Sequence, residues 1–122
     1  MSEAQKVAPR SLRTEERRLL GAMIGHMPEA NRLLFDIDGS LVVDMDDGGM
    51  GGIRAFRAEE EPCFGDQVAH ASYADEDGIS VSITVNLDEI GRFFELDIWK
   101  ADNSRLLSYP VPEKIHMIPD CE

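Results

Sequence analysis

Basic residues are scarce in this chain. Its 122 residues include 12 Lys and Arg against 24 Asp and Glu, which gives a formal net charge of −12 at pH 7. Proteins that bind nucleic acids or anionic membranes use Lys and Arg to neutralise phosphates, so this charge disfavours both classes of partner. Long apolar runs are also lacking, since the longest run before Arg10 is Val7-Ala8-Pro9, too short for a signal peptide or a membrane span. We therefore expect a cytoplasmic protein.

Cysteine is scarce as well, with only Cys63 and Cys121 in the sequence. Their separation matches neither a CxxC redox motif nor a zinc site, and it favours two free thiols over a disulfide scaffold. The three histidines, His26, His70 and His116, lie on different predicted elements. No ligand spacing is visible among them, so we predict no metal site and no cofactor.

The length and the apolar content predict one folded domain. A hydrophobic content of 43% is enough for a single core in 122 residues. Residues 1–12 show no periodicity and are predicted to be a flexible lead-in to a domain that covers residues 13–122. The charge is unevenly divided: residues 1–35 carry six basic and four acidic residues, a net of +2, and residues 36–122 carry six basic and twenty acidic residues, a net of −14.

The N-terminal part of the domain shows helical periodicity. Thr14 is a suitable N-cap, and Glu15 and Glu16 follow it in the first turn, where carboxylates interact favourably with the helix dipole. The apolar residues that fall on one face of this helix are Leu19, Leu20, Met23, Ile24 and Met27. Pro28 ends the helix or begins a second short helix through Leu34.

After Phe35 the apolar period changes from 3.6 to 2. Residues 79–87, ISVSITVNL, alternate without error, which predicts a half-buried antiparallel strand. The other predicted strands are 41–45, 53–57, 68–74 and 92–100. We expect an α+β fold in which one or two helices pack on an antiparallel meander of about five strands. Pro110, Pro112 and Pro119 then predict an extended tail packed across the domain.

Two acidic surfaces are candidates for binding a partner. On strand 92–100, alternation places Phe94 with Leu96 and Ile98 on one face, and Phe93 with Glu95, Asp97 and Trp99 on the other. Aromatic residues are enriched in interface cores, and a carboxylate can pair with an Arg of a partner. The alternative is that the helix or the tail covers this face.

The second candidate surface is the glycine-rich hairpin tip, with Asp44 near the end of predicted strand 41–45 and Asp46, Asp47 and Met50 in the connection that follows. A flexible tip that presents a thioether suits adaptable protein contacts. The acidic residues resemble half of an EF-hand loop, but Ala55 stands where loop position 12 requires Glu. Ordinary turn chemistry explains the cluster, with adventitious cation binding left open.

Residues 33–42, LLFDIDGSLV, resemble the first motif of haloacid dehalogenase-type phosphatases. That resemblance implies Asp36 as nucleophile and Asp38 as general acid and base, with Mg²⁺ offsetting charge repulsion. The family also needs a parallel sheet and a later Lys, whereas residues 40–110 show no amphipathic helix and no Lys occurs between Lys6 and Lys100. A turn that leads into the first strand is the competing interpretation.

A second resemblance involves two motifs. The segment FELDIWKAD at 94–102, with Ser104 and Leu106 after it, looks like the closing motif of a group of small bacterial domains of unknown function. The segment DGGMG at 47–51 is similar to an earlier motif of the same group. Such domains resemble immunity and accessory proteins of bacterial conflict systems. Asn103 to Arg105 departs from the pattern, where an aromatic residue and a proline are more usual.

These observations predict a non-enzymatic module that binds another protein, of the immunity or neutraliser type. An acidic surface favours a basic partner, with association that weakens as salt increases. A Mg²⁺-dependent phosphatase that uses Asp36 and Asp38 is the alternative from another class. An orphan structural domain or a homodimer is the third interpretation.

Overall fold

Two helices open the fold in the computed structural model, which describes residues 8–58 and 61–119. Helix α1 spans Thr14–Ile24 and helix α2 spans Ala30–Asp38. Arg13, rather than Thr14, precedes the first helical turn, and its backbone N–H donates to the Glu16 carboxylate at 2.8 Å. Four residues of the predicted apolar face are fully buried in α1, namely Leu19, Leu20, Met23 and Ile24. The fifth, Met27, lies beyond the end of the helix and is partly buried against the core.

Helix α2 differs from the sequence expectation at its C-terminal end, which extends beyond Leu34 to Asp38. Leu33 and Ile37 lie one turn apart and are fully buried, so the apolar periodicity of α2 continues through the segment that was expected to be a turn. Ser40 Oγ donates to the carbonyl of Asp36 at 2.7 Å and satisfies one of the last helical carbonyls.

Six antiparallel strands form one sheet in the order β1-β2-β5-β4-β3-β6. Their bounds are Leu41–Asp44 for β1, Ile53–Phe56 for β2, Phe64–Ala74 for β3, Ser80–Asp88 for β4, Phe93–Lys100 for β5 and His116–Met117 for β6. The predicted α+β class is therefore confirmed, with a sixth short strand in the tail.

The strand order is not a simple meander. The consecutive strands β3, β4 and β5 pair in sequence, but β2 lies beside β5 instead of β3. Leu96 and Ile98 of β5 are almost completely buried, as expected for a strand with neighbours on both sides. The β1–β2 hairpin provides the second neighbour, and it joins β5 through only two register pairs, Ile53 with Leu96 and Arg54 with Glu95.

The hydrophobic core lies between the helices and one face of the sheet. The alternation predicted for β4 is confirmed, because Val81, Ile83, Val85 and Leu87 all join the core. Tyr73 and Ala71 on β3 join it from the neighbouring strand. We call the opposite side of the sheet, which faces away from α1 and α2, the outer sheet face.

A β-bulge in β5 corrects the predicted faces of that strand. Phe93 is opposite Leu87 and Glu95 is opposite Asn86, so Phe94 is the extra residue. Phe93 is fully buried in the core, whereas Phe94 lies on the outer sheet face beneath Arg54. Perfect alternation predicted the reverse for these two rings, because a bulge shifts the pleat by one residue.

Both main-chain polar groups of Phe93 bind side chains from other elements. Its N–H donates to Asp36 Oδ2 at 3.0 Å, and its carbonyl accepts from Arg57 Nη2 at 2.8 Å. The bulge is therefore supported from α2 and from the residue that follows β2. An unpaired main-chain group in this position would otherwise weaken the fold.

A buried ion pair holds the C-terminal segment against the sheet. Lys100 Nζ lies 2.8 Å from Asp75 Oδ2, and the two side chains are 1% and 0% exposed. Asp75 also accepts from the backbone N–H groups of Leu107 and Ser108 at 2.9 and 3.0 Å. Because these contacts join β3, β5 and the tail, the predicted packing of the tail across the domain is explained by a specific polar cluster.

The chain ends contribute to the sheet edges. Arg10 exchanges backbone hydrogen bonds with Val42 at 2.8 and 2.7 Å, so the part of the predicted lead-in from residue 8 onward includes an ordered contact. At the other edge, β6 pairs with β3, as shown by His116 opposite Ser72. Residues 1–7 of the predicted lead-in lie outside the described residues, as do residues 59–60 between β2 and β3 and the predicted free thiol of Cys121.

Cys63 is an exposed free thiol, as predicted. Among residues 8–58 and 61–119, no helix combines the length and the apolar character needed to cross a membrane.

Candidate functional site

The outer sheet face carries three residues of the predicted binding surface, of which Trp99 is exposed, Asp97 is half-buried and Glu95 is buried. The side chains of Glu95, Asp97 and Trp99 share this face of β5, and Trp99 is 51% exposed. Within the described ranges, neither the helices nor the tail covers Trp99. The alternative, in which the helix or the tail covers this ring, is therefore wrong for Trp99.

A polar network surrounds Glu95 at the centre of this face. Glu95 Oε1 accepts from Arg54 Nε at 3.2 Å and from Arg54 Nη2 at 2.9 Å. Its other oxygen accepts from Asn86 Nδ2 at 3.0 Å. The Arg54 guanidinium also lies 5.1 Å from the ring centroid of Phe94, within the range of a cation–π contact. Glu95 is thus already neutralised by the protein's own arginine.

Asn86 contributes an unusual feature to the same network. The residue is only 6% exposed, and its Oδ1 has no hydrogen-bond partner among the described residues. The bond from Nδ2 to Glu95 assigns the amide orientation, because a carboxylate accepts and does not donate. Burying an acceptor without a donor is costly, so this position favours a further N–H group.

Asp97 differs from Glu95 in its partners. It is half-buried, and in the part of the chain that the structure describes its carboxylate has no hydrogen bond or ion pair. Burial raises the pKa of Asp97 above its ordinary value, the charges of Glu95 and Asp47 raise it further, and the charge of Arg54 lowers it. A half-buried carboxylate without an ion pair gains from a cation of a partner.

The glycine-rich segment is folded onto the domain and does not form the predicted mobile tip. Asp47 accepts from the backbone N–H groups of Met50 and Gly52 at 3.0 and 2.9 Å. Met50 is only 5% exposed, and its Sδ accepts from the Lys100 N–H at 3.1 Å. The prediction that Met50 is presented to a partner is wrong, because the positive φ of Gly49 and Gly51 lets the loop turn its thioether inward.

The three acidic residues of this segment have different surroundings. Asp44 lies on the helical side of the sheet, 2.7 Å from Arg10, and the hydrogen bond from Arg10 holds its pKa below the ordinary value. Asp46 is exposed. Asp47 is close enough to Asp97 to affect its titration. Among the predicted tip residues, Asp47 therefore joins Glu95, Asp97 and Trp99, whereas Asp44 belongs to another surface.

Asp36 and Asp38 both lie within helix α2. Residues two apart in a helix point about 200° from each other, so their carboxylates do not converge. Asp36 binds the Phe93 N–H, and Asp38 forms an ion pair with Arg17 at 2.5 Å. The phosphatase family needs a parallel sheet, whereas the strands here pair antiparallel, so the structure does not match that resemblance.

Across the described residues, no group of three or more His, Cys, Asp or Glu side chains is arranged to hold a metal ion. The acidic residues of the outer sheet face therefore form a charged surface, in which each carboxylate has its own environment.

A family described as a domain of unknown function (DUF6984) matches residues 9–110. The chain belongs to this family. The matched residues include both helices and β1 to β5 of the DUF6984 domain. No curated protein and no solved structure matches the chain. The expectation of a family of unknown function is confirmed. The bacterial origin, the two motifs and the relation to immunity proteins stay predictions.

Sequence reasoning missed three residues of the outer sheet face in this DUF6984 domain: Arg54, Asn86 and Phe94. Asn86 and Arg54 occupy alternating positions of predicted strands, and their shared contact with Glu95 depends on β2 lying next to β5. No short-range pattern in the sequence carries that information. Phe94 was missed because the bulge reverses its face.

Proposed function

We propose that this DUF6984 domain is a non-enzymatic module that binds a basic surface of another protein through its outer sheet face. One observation carries the proposal. The Asp97 carboxylate has no hydrogen bond or ion pair among the described residues, and the half-exposed Trp99 lies two residues later on the same face of β5. Tryptophan is enriched among the residues that dominate protein interfaces, and a carboxylate without an ion pair beside it suits a basic partner.

The charge of the chain supports the same proposal. The net charge of −12 would steer a basic partner toward the domain and accelerate association at low salt. An immunity-type neutraliser, which the resemblance to bacterial conflict systems implies, is one protein of this class. Such a module acts by occupying the partner's surface and needs no catalytic residue of its own.

The experiment compares co-purification by the tagged wild type with that by Trp99→Ala and Asp97→Asn. Phe35→Ala and Glu113→Gln are the matched controls. Phe35 is 82% exposed on the opposite layer, and Glu113 is exposed in the 3₁₀ turn Pro112–Lys114. The partner should be a basic protein that both test variants lose and both controls retain.

The affinity of the purified partner is then measured by calorimetry at low and high salt. We expect Trp99→Ala to weaken binding by about tenfold or more, as is typical of a central aromatic contact, and salt to weaken the wild-type complex. A partner that binds Trp99→Ala and Asp97→Asn as tightly as wild type contradicts the proposal. So does a partner lost only with Phe35→Ala.

A further inference from the structure

We propose that the partner contributes an arginine whose guanidinium pairs with Asp97 and stacks on Trp99. This inference rests on the proposed function and names the chemical group that the outer sheet face recognises. The inference rests on a comparison of two pairs on β5, each made of an aromatic ring and a carboxylate. The first pair already binds an arginine of this chain, and the second pair does not.

The occupied pair consists of Phe94 and Glu95, which bind Arg54 of the neighbouring strand. One guanidinium makes two hydrogen bonds to Glu95 Oε1, at 2.9 and 3.2 Å, and lies 5.1 Å from the Phe94 ring centroid. This is the usual way in which a planar guanidinium satisfies its in-plane donors and its apolar faces together. The outer sheet face thus already recognises one arginine.

The second pair consists of Asp97 and Trp99. These residues are on the same face of β5, about 7 Å apart along the strand, which a single arginine side chain can span. The Asp97 carboxylate has no ion pair in the described residues, and the Trp99 ring is 51% exposed. Both components of an arginine site are present, and the arginine is absent from the described part of the chain.

The glycine that directly precedes β2 explains why this second pair has no arginine from the neighbouring strand. Arg54 is opposite Glu95 and Ile53 is opposite Leu96, so continuing the antiparallel register places Gly52 opposite Asp97. A Cβ at Gly52 would lie 2.9 Å from both Asp47 Oδ2 and Met45 Sδ. Gly52 supplies no side chain at the position that corresponds to Arg54, and the ends of the Asp47 and Met45 side chains lie where its Cβ would be.

The surrounding polar atoms favour arginine over lysine. Asp47 adds a second carboxylate that affects Asp97. A guanidinium offers five N–H donors in one plane and stacks on an indole, whereas an ammonium is a strongly hydrated point charge. A carboxylate on the same face as an exposed indole suits the former.

The test uses the intrinsic fluorescence of Trp99, the single tryptophan in the chain. The probe is the blocked tripeptide acetyl-Gly-Arg-Gly-amide, and the matched controls carry lysine or the uncharged isostere citrulline in place of arginine. We expect a saturable change in Trp99 emission with the arginine peptide, binding several-fold weaker with lysine, and no saturation with citrulline. Asp97→Asn should weaken arginine binding about tenfold, and Glu113→Gln should leave it unchanged.

Equal binding of the arginine, lysine and citrulline peptides, or no saturable emission change with any of them, overturns the arginine assignment. A protein partner that still depends on Trp99 would in that case leave the proposed function standing. Sedimentation of the domain alone tests the other occupant: a wild-type dimer that Trp99→Ala converts to a monomer would place a second copy on this face and overturn the inference. Circular dichroism confirms that each variant is folded.

Discussion

The bulge in β5 makes a quantitative prediction about two adjacent phenylalanines. Phe93 is fully buried in the core, so Phe93→Ala removes a large apolar group and leaves a closed cavity, at a cost of about 3 to 5 kcal/mol. Phe94 lies under the Arg54 side chain, which is 47% exposed and can move into the vacated space. Phe94→Ala therefore loses the burial of an apolar ring and the cation–π contact, but it leaves no closed cavity. We expect the free energy of unfolding to fall by about 2 kcal/mol.

The two variants are compared by thermal unfolding under identical conditions. For a domain of this size, about 1 kcal/mol corresponds to about 4 °C in Tm. We expect Phe93→Ala to lower the Tm by about 12 to 20 °C and Phe94→Ala to lower it by about 8 °C. Urea unfolding at one temperature provides an independent free energy of unfolding, with a shared slope as the check that both variants unfold in the same way.

The opposite ranking would refute the bulge. A strand with perfect alternation places Phe94 in the core with Leu96 and Ile98, so Phe94→Ala would then be the more damaging change. Phe35→Ala is the control for the loss of a phenyl ring at the surface, because Phe35 is 82% exposed. It should change the Tm by no more than a few degrees.

Three further predictions concern features that have no part in the proposed binding surface. Burial raises the pKa of Asp75, but the hydrogen bonds from Lys100 and from backbone N–H groups outweigh it and lower the pKa to about 2. The stability that Asp75 contributes is therefore present above its unfolded pKa of about 3.9 and is lost as the pH falls toward 2. The urea midpoint should fall more steeply between pH 5 and pH 2 for wild type than for Asp75→Asn. Met50→Ala should lower the free energy of unfolding by about 2 kcal/mol or more, because the side chain is buried, and an unchanged midpoint would show that the glycine-rich segment is mobile after all. Asp36→Ala should destabilise the domain by about 1 to 2 kcal/mol, because the Phe93 N–H loses its acceptor. The wild type should not hydrolyse p-nitrophenyl phosphate with Mg²⁺, and turnover that Asp36→Asn abolishes would restore the phosphatase hypothesis.

The elements that could be predicted from sequence are those whose burial follows a local period. The face of α1 that includes Leu19 and Met23 is fully buried, and the alternation of β4 from Val81 to Leu87 is present in the sheet. Each of these patterns repeats the same period over several residues. The helix and the strand therefore remain predictable even where one residue departs from the pattern.

The differences arise where distant parts of the chain meet. The strand order depends on the β1–β2 hairpin docking against β5, which no local pattern encodes. The inward turn of Met50 depends on contacts with Lys100 and with the segment near Leu106, whose N–H donates to Gly49 at 3.1 Å. For the proposed binding surface, the shared face of Asp97 and Trp99 was predictable from alternation, whereas the pairing of Arg54 with Glu95 depends on the strand order.

The narrow junction between β2 and β5 has a consequence for binding. Only two register pairs join the β1–β2 hairpin to the rest of the sheet, so this hairpin can separate locally at a lower free energy than the strands at the centre of the sheet. Arg54 and Asp47 lie on the hairpin side of the junction, and Glu95 and Asp97 lie on the other side. A partner that contacts both sides would bind the closed form preferentially, so occupancy would slow amide hydrogen exchange in β2. Affinity and local stability would then change together, and a substitution that loosens the hairpin would weaken binding without touching the partner.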